Sequence, residues 1–176
     1  LIGENAYAIG VINQEQYLVD IAATRVLLTE HHLLNQYLTN SITPRPVLVP
    51  LAFEPTPEQI NIVEKQQEQI RQWGFELELI TPEQVSIRAM PARLAYADSI
   101  SLARNLLEGI QSKQPDAVLA RELAEHVNDA GVITDRDSMQ QLLKDVYAYA
   151  NNHDQSATTA WRKLDTASLA MMLKKQ

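Results

Sequence analysis

Residues 17–30 read Tyr-Leu-Val-Asp-Ile-Ala-Ala-Thr-Arg-Val-Leu-Leu-Thr-Glu, an apolar run that passes directly into a helical pattern. The run predicts a strand that ends at Asp20, and the residues from Ile21 onwards predict a helix. A carboxylate at such a junction lies beside the helix N-terminus, where backbone N–H groups and the helix dipole favour negative charge. Metal ligands gather at this position in some proteins, so both a cap and a ligand role are open for Asp20.

The composition bounds the class of protein. The chain has 176 residues, 45% of them apolar, no cysteine and a net charge of -7. It is long enough for one sizeable domain or two small lobes, and any contact with DNA should be weak or indirect because clustered Lys and Arg are missing. Disulfides, thiolate zinc sites and cysteine nucleophiles are excluded. No apolar run is long enough to span a membrane, and the first residues have no basic n-region of a signal peptide. The start at Leu1, in mid-pattern and with no initiator methionine, is expected of a fragment of a longer protein.

The first forty residues predict a hairpin followed by a long helix. Alternating residues in 7–11 and the run 17–19 flank Asn13, which supplies the turn. The helix should extend from about 21 to 38, with Ala23, Leu27, Leu34 and Leu38 on one face. Val26, Leu33 and Tyr37 widen this stripe enough for burial on more than one side. His31 falls on this stripe, either as a core or interface histidine bonded to a neighbour or as a metal ligand.

The remainder alternates strands and helices. Prolines around 47–49 predict an edge or entry strand, and Thr56 should cap a helix that ends at Gly74. Two antiparallel strands should follow at 75–79 and 85–89, with charged side chains that form cross-strand ion pairs, a cheaper explanation than a carboxylate catalytic site. Further helices should begin at Asp98, after Pro115, at Thr134 and at Asp165 or Thr166, with a short strand at 158–164 before the last. These elements predict an α+β fold of two lobes, with small mixed or antiparallel sheets packed with helices.

Three stretches of this sequence resemble the C-terminal dimerisation domain of the DNA mismatch repair protein MutL. Many members read Asp-Gln-His-Ala, two residues, Glu, four residues, Glu at the segment of residues 20–31, where this chain keeps only Asp20 and Ala23. Ile21, Ala22, Val26 and His31 stand at the other motif positions. Residues 46–51, Pro-Val-Leu-Val-Pro-Leu, and 85–91, Val-Ser-Ile-Arg-Ala-Met-Pro, match more fully.

The resemblance implies a domain organisation and a set of partners. Residues 1–43 and 132–176 would form a discontinuous dimerisation lobe, and residues 44–131 an inserted regulatory lobe. The domain would form a homodimer that links two ATPase arms, with ATP and Mg²⁺ bound only by the absent N-terminal region and no cofactor in this part. Other expected partners are the mismatch recognition protein, a separate nicking endonuclease and a helicase, in the bacterial cytoplasm.

The resemblance also implies that this domain is not an enzyme. Endonuclease members carry an Ala-Cys-Lys/Arg signature and a Cys-Pro-x-His-Gly-Arg-Pro signature, and neither occurs here. The alternative is a cryptic metal-dependent nicking endonuclease that uses Asp20, Glu30, His31 and His153.

Two surfaces are expected to bind protein partners. The dimer interface should include Tyr7, Ile9, Val11, Trp161, Leu169 and Met172. In the family, the segment aligned with Arg45–Pro50 resembles the Gln-x-x-Leu/Ile-x-Pro element that docks into the sliding clamp of the replication machinery. Leu48 and Pro50 are retained but Arg45 replaces glutamine, which predicts weak or absent clamp binding. The alternative is that Val47–Val49 is simply a buried strand whose ends are marked by proline.

Overall fold

The computed structural model describes residues 7–12, 14–127, 136–153 and 159–165. Within these ranges the chain forms six strands and six α-helices, and the strands make two three-stranded sheets. Every strand pairing in both sheets is antiparallel. The predicted α+β class, with small sheets packed with helices, is confirmed.

The chain divides into two compact units, Leu1–Leu28 with Gly131–Gln176 and Thr29–Ala130. The predicted borders were 43/44 and 131/132, so the first border lies inside a helix rather than at the proline-rich segment that follows it. The helix of residues 21–38 is continuous across this border, so the sequence has no break in its pattern that could mark the end of the first unit. The roles of the two units, in dimerisation and in regulation, stay predictions.

The first unit is built on a sheet in the order β1-β2-β6. Its strands are β1 (Tyr7–Ile12), β2 (Glu15–Asp20) and β6 (Trp161–Lys163). The predicted hairpin of β1 and β2 is confirmed, and Gln14, with a φ of 66°, takes a left-handed conformation between them. The predicted turn residue Asn13 lies outside the described residues.

One face of this sheet packs on helices. Helix α6 (Arg136–Asn152) supplies Leu142, Val146 and Ala150 to the core, and the first half of α1 (Ile21–Leu38) supplies Ile21 and Leu28. The sheet contributes alternate residues of its strands, as the period of two requires: Ala8, Tyr17, Val19 and Trp161. The predicted cap Thr134 of α6 and the predicted final helix lie outside the described residues.

Helix α1 has the predicted bounds but presents a different face to the interior. Thr24 and Leu28 are buried in its first half, and Leu33 and Tyr37 in its second. Of the predicted stripe, Ala23, Leu27 and Leu34 are only half-buried and Leu38 is 65% exposed. The buried Leu33 and Tyr37 belong to the residues predicted to widen the stripe, whereas the buried Thr24 was missed because threonine does not count as apolar in a simple stripe.

The second unit holds a sheet in the order β3-β5-β4. Its strands are β3 (Pro44–Phe53), β4 (Glu76–Thr81) and β5 (Gln84–Pro91), and its helices are α2 (Pro57–Lys65), α3 (Gln67–Gln72), α4 (Ser99–Gln111) and α5 (Asp116–Glu125). A short 3-10 helix at Ala92–Leu94 follows β5. Trp73, Phe75, Ile87, Leu102 and Leu106 are among its fully buried side chains.

Capping residues set several helix ends in the second unit as predicted. Thr56 and Gln59 form a reciprocal capping box at the start of α2, and the Asp98 carboxylate accepts the N–H of Ser101 at 2.7 Å to begin α4. Gly74, with a φ of 79°, follows α3 in the left-handed conformation expected of it. The single helix predicted for 57–73 is wrong, because Gln66 (φ -120°, ψ 33°) breaks it into α2 and α3. Among the described helices, no one has the length and apolar character needed to cross a membrane.

Candidate functional site

The outer face of β1 is a row of exposed apolar side chains. Tyr7 is 39% exposed, Ile9 54% and Val11 68%, and all three lie on the face of the sheet away from α6. On the opposite face, Gly10 approaches α6 so closely that a Cβ there would lie 2.6 Å from the Leu143 side chain. The missing side chain lets the strand lie flat against the helix and holds the apolar row outward.

The other residues predicted for the dimer interface have different positions. Trp161 is only 5% exposed, packs in the core of the first unit, and contacts Tyr149 edge-to-face with ring centroids 5.8 Å apart. It therefore has little surface left for a partner. Leu169 and Met172 lie outside the described residues.

An ion pair ties β2 to β6 beside this sheet. The Lys163 ammonium donates to the Glu15 carboxylate, which also accepts the Tyr17 hydroxyl at 3.1 Å. The hydrogen bond from Lys163 lowers the pKa of Glu15, and the bond to Glu15 raises the pKa of Lys163. Both charged forms are favoured together, so the ion pair between β2 and β6 should be formed at neutral pH, although an exposed pair contributes little to stability.

Asp20 caps helix α1. Its carboxylate accepts the backbone N–H of Ala23 at 2.9 Å, three residues into the helix, which is the geometry of an N-cap. Its own backbone N–H donates to the Ala160 carbonyl at 2.8 Å, and the Thr24 hydroxyl donates to the same carbonyl. The two remnants of the family's first motif, Asp20 and Ala23, are thus the two ends of one capping hydrogen bond.

The side chains around Asp20 do not fit the metal centre of the endonuclease members. Ala22 and Val26 stand at the motif's histidine and first glutamate positions and have no donor atoms. Among the described residues, no group of three or more His, Asp or Glu side chains could hold a metal ion.

The other residues of the nuclease alternative have local contacts. Nε2 of His31 lies 2.9 Å from the Asn35 amide nitrogen, and the His153 ring nitrogen lies 3.0 Å from the Tyr149 carbonyl, each within one helical turn. Burial raises the pKa of the Glu30 carboxyl, and the nearby Arg121 opposes that effect. These contacts account for the side chains without a ligand.

Strand β3 carries the second exposed apolar surface. Leu48 is 94% exposed and Val49 71%, because the pairing of β3 with β5 is interrupted between Pro46 and Leu51. The interpretation of Val47–Val49 as a buried strand is therefore wrong. Pro46 and Pro50 flank the interruption, which is where proline is tolerated in a strand.

Arg45, at the start of β3, is exposed and lies over the ring of Tyr96. Its guanidinium carbon lies 5.3 Å from the ring centroid of Tyr96, which is itself 75% exposed. This distance is within the range of cation–π attraction. Sequence reasoning missed Tyr96, which sits between two alanines after the 3-10 helix and has no periodic partner in the sequence.

These features define a class of protein: an α+β interaction module whose distinctive surfaces are two rows of exposed apolar strand residues. The family model described as MutL C terminal dimerisation domain matches residues 3–130, and the chain belongs to this family. The match ends at residue 130, so the likeness of residues 132–176 to the family's last elements stays a prediction.

Individual relatives support the same family. The DNA mismatch repair protein MutL of Janthinobacterium sp. (strain Marseille) is 29% identical over 102 residues, which is 58% of this chain and 17% of that protein. The MutL proteins of Thiobacillus denitrificans and Syntrophotalea carbinolica are each 30% identical, over 64% and 61% of this chain, and each match covers 18% of the relative. The matched region is therefore less than a fifth of the length of these curated relatives.

Proposed function

We propose that this chain is the homodimerisation and partner-docking domain of a MutL-like DNA mismatch repair protein. In the whole protein it would link two ATPase arms and coordinate mismatch recognition with nicking and unwinding by other proteins. The domain itself would be non-catalytic, and its contact with DNA weak or indirect.

The observation that carries this proposal is the apolar row on β1. Ile9 and Val11 are more than half exposed on a strand that lies at the sheet edge, and Leu18 lies opposite Ile9 on β2. Isolated exposed apolar residues are common, but a contiguous row on one sheet face is typical of an interface between chains. The other face of the same sheet is already filled by α6, so a partner must cover the row from outside.

The test is the solution mass of the 176-residue chain. Sedimentation at micromolar concentration should give twice the monomer mass of 19.8 kDa. The charge-inserting variant Ile9→Glu should shift the protein toward monomer by at least about tenfold in dissociation constant, because a carboxylate would have to be desolvated in the contact.

The matched control is Val118→Glu on α5, where the wild-type side chain is 43% exposed in the second unit. This substitution adds the same charge at a position about as exposed as Ile9, so the solution mass should remain that of the dimer. A monomeric wild-type chain, or equal loss of dimer in both variants, would contradict the proposed interface.

A second function, docking to the sliding clamp, is favoured by the exposed segment on β3. Leu48 projects almost completely into solvent, as a residue that enters a partner's apolar pocket must. Arg45 replaces the family's glutamine and stacks on Tyr96, so the polar subsite of the clamp would lose the amide it uses. We therefore propose weak docking that Arg45→Gln strengthens.

Clamp affinity for three versions of the chain decides this. Arg45→Gln should bind about fivefold more tightly than wild type, since one restored hydrogen bond is worth about 1 kcal/mol. Leu48→Ala should abolish what binding remains without unfolding the domain, because the leucine makes few contacts in the monomer. If neither substitution changes the affinity for the clamp, β3 is not a docking surface for it.

A further inference from the structure

A groove in the second unit runs along the free edge of β4. In the described part of the chain β4 pairs with β5 alone, and its other edge faces the junction of α2 and α3. The groove encloses about 600 Å³ and is lined by β4 residues on one side and by helix residues, Val63 and Gln67 among them, on the other. Pockets that bind ligands have volumes of this size.

The side chain of Gln67 already donates a hydrogen bond to this edge, as the backbone N–H of an added strand would. Its amide nitrogen donates to the Leu77 carbonyl at 3.2 Å and to the Val63 carbonyl at 2.7 Å. The second bond satisfies a carbonyl at the helix break near Gln66. The hydrogen bond to Leu77 shows that the backbone carbonyl of Leu77 points away from β5, toward the groove.

The direction of that carbonyl fixes the direction of the next one. Backbone groups alternate sides along a strand, and the register of Leu77 to Leu79 against β5 is regular, so the N–H and C=O of Leu79 point into the groove as well. An edge with such groups is a template for an added strand. These backbone N–H and C=O groups of β4 therefore favour a ligand that has a peptide backbone.

Charge indicates the side chains of that occupant. The lining contains the carboxylates Glu64, Glu76 and Glu78 and the guanidinium groups of Arg71 and Arg88. Arg88 is engaged with Glu78 at 2.7 Å. The lining thus has three carboxylates and two guanidinium groups, an excess of one negative charge, and Glu76 lies on β4 beside the Glu78–Arg88 pair. The buried Val63 and Leu77 make the floor of the groove apolar.

We propose that this groove binds an extended peptide segment of a partner protein, which adds as a strand to β4 and alternates apolar with basic side chains. The apolar residues would face Val63, and the basic residues would lie on the side of Glu76 and Glu78. This surface is separate from the apolar row on β1 and from the exposed segment of β3, so it stands or falls independently of the proposed dimer.

Backbone amide shifts in the 176-residue chain, measured by NMR during titration with acetyl-Val-Lys-Val-Lys-Val-amide, test this proposal. Amides of β4 should shift, and acetyl-Val-Glu-Val-Glu-Val-amide should bind about tenfold more weakly. Glu76→Lys should weaken binding of the lysine peptide, whereas Glu108→Lys, which makes the same charge change at an exposed position of α4 outside the groove, should not.

N-methylated peptides separate strand addition from simple charge attraction. Methyl groups on the valine nitrogens remove one set of backbone donors, and methyl groups on the lysine nitrogens remove the other. Only one set can face β4, so one methylated peptide should lose about tenfold in affinity and the other should bind as the parent does. Any other pattern, or no shift of β4 amides at millimolar peptide, overturns the proposal.

Discussion

At the scale of single residues, a carboxylate at the position of Asp20 can serve as a metal ligand or as a helix cap. In this structure it accepts a hydrogen bond from the Ala23 N–H, which is a capping contact. In an endonuclease member the carboxylate would bind metal together with imidazole and further carboxylate ligands. In this chain Ala22 and Val26 replace those ligands, while the cap that begins α1 is retained. In this structure the hydrogen bond that Asp20 makes is a helix cap, and this contact does not depend on a metal.

Asp20→Ala should lower the stability of the first unit by about 1 kcal/mol, the usual cost of removing an N-cap side chain. Asp20→Asn should recover most of this loss, because the amide oxygen can accept the same N–H. Chemical unfolding followed by the fluorescence of Trp161 in a Trp73→Phe background measures both. If added Mn²⁺ stabilises wild type but not Asp20→Asn, the carboxylate is a metal ligand after all.

Asp98 makes the equivalent cap in the second unit, and its contribution should depend on pH. Hydrogen bonds from Ser101 lower the pKa of Asp98 below its usual value. A carboxyl whose pKa is lower in the folded state stabilises the fold above the unfolded-state pKa of about 3.9, and loses that effect as the pH falls through the folded-state pKa.

Asp98→Asn should therefore be less stable than wild type at pH 7, and the difference should shrink below about pH 4. The expected loss at pH 7 is under about 1 kcal/mol, because asparagine still caps and the side chain is exposed. Urea unfolding at several pH values measures the difference. A gap between the two proteins that is constant down to pH 2 would show that the charge of Asp98 has no role.

At the scale of elements, the sequence predicted what depends on local chemistry. The caps Thr56 and Asp98, the stop at Gly74 and the antiparallel pairing of β4 with β5 depend on contacts within a few residues, and each was confirmed. The predicted period of two in β5 is wrong at Ser86, which is buried although it was predicted on the wet face. The cross-strand ion pair predicted on the wet face is present as Glu78 with Arg88.

Features that depend on distant contacts were not predictable in this way. Next to the break at Gln66, the Gln67 side chain hydrogen-bonds to the Leu77 carbonyl, which is ten residues away and in another element. The prolines of β3 indicate an edge strand, but the place where its pairing with β5 is interrupted, between Pro46 and Leu51, is known only from the register of the two strands. The same limit applies to the sites: the apolar row on β1 was predicted, whereas Tyr96 beside Arg45 could be found only from the fold.

Gly74 joins α3 to β4, and two separate effects should oppose a side chain there. Its φ of 79° is unfavourable for alanine, and a Cβ there would clash with the Ile42 side chain. Gly74→Ala should therefore destabilise the second unit by about 1–2 kcal/mol from the backbone conformation alone, with the contact adding to it.

The double variant Gly74→Ala with Ile42→Ala separates the two effects, since it removes the contact and leaves the backbone conformation as it is. The coupling between the substitutions in urea unfolding should be favourable, and the loss from the backbone should remain. If the double variant is as stable as Ile42→Ala alone, the positive φ costs nothing at this position.

At the scale of the whole molecule, the chain contains two tryptophans and each unit holds one of them. Trp161 is buried in the first unit and Trp73 in the second. The indole nitrogens of both are buried without a hydrogen-bond partner in the described structure, so a change to phenylalanine removes an unsatisfied donor and limits the damage. Single-tryptophan variants can therefore report on each unit separately.

If the proposed dimer forms through the first unit, the two tryptophans should respond differently to protein concentration. Association stabilises the part of the fold that it covers by mass action, so the midpoint of thermal unfolding reported by Trp161 in Trp73→Phe should rise with concentration. The midpoint reported by Trp73 in Trp161→Phe should change less, because Trp73 lies in the unit that the proposed interface does not cover. Adding Ile9→Glu should remove the dependence seen by Trp161 and leave the signal of Trp73 as it was. Equal shifts for both tryptophans would place the interface on both units, and a shift for Trp73 alone would place it on the second, contrary to the interface proposed on β1.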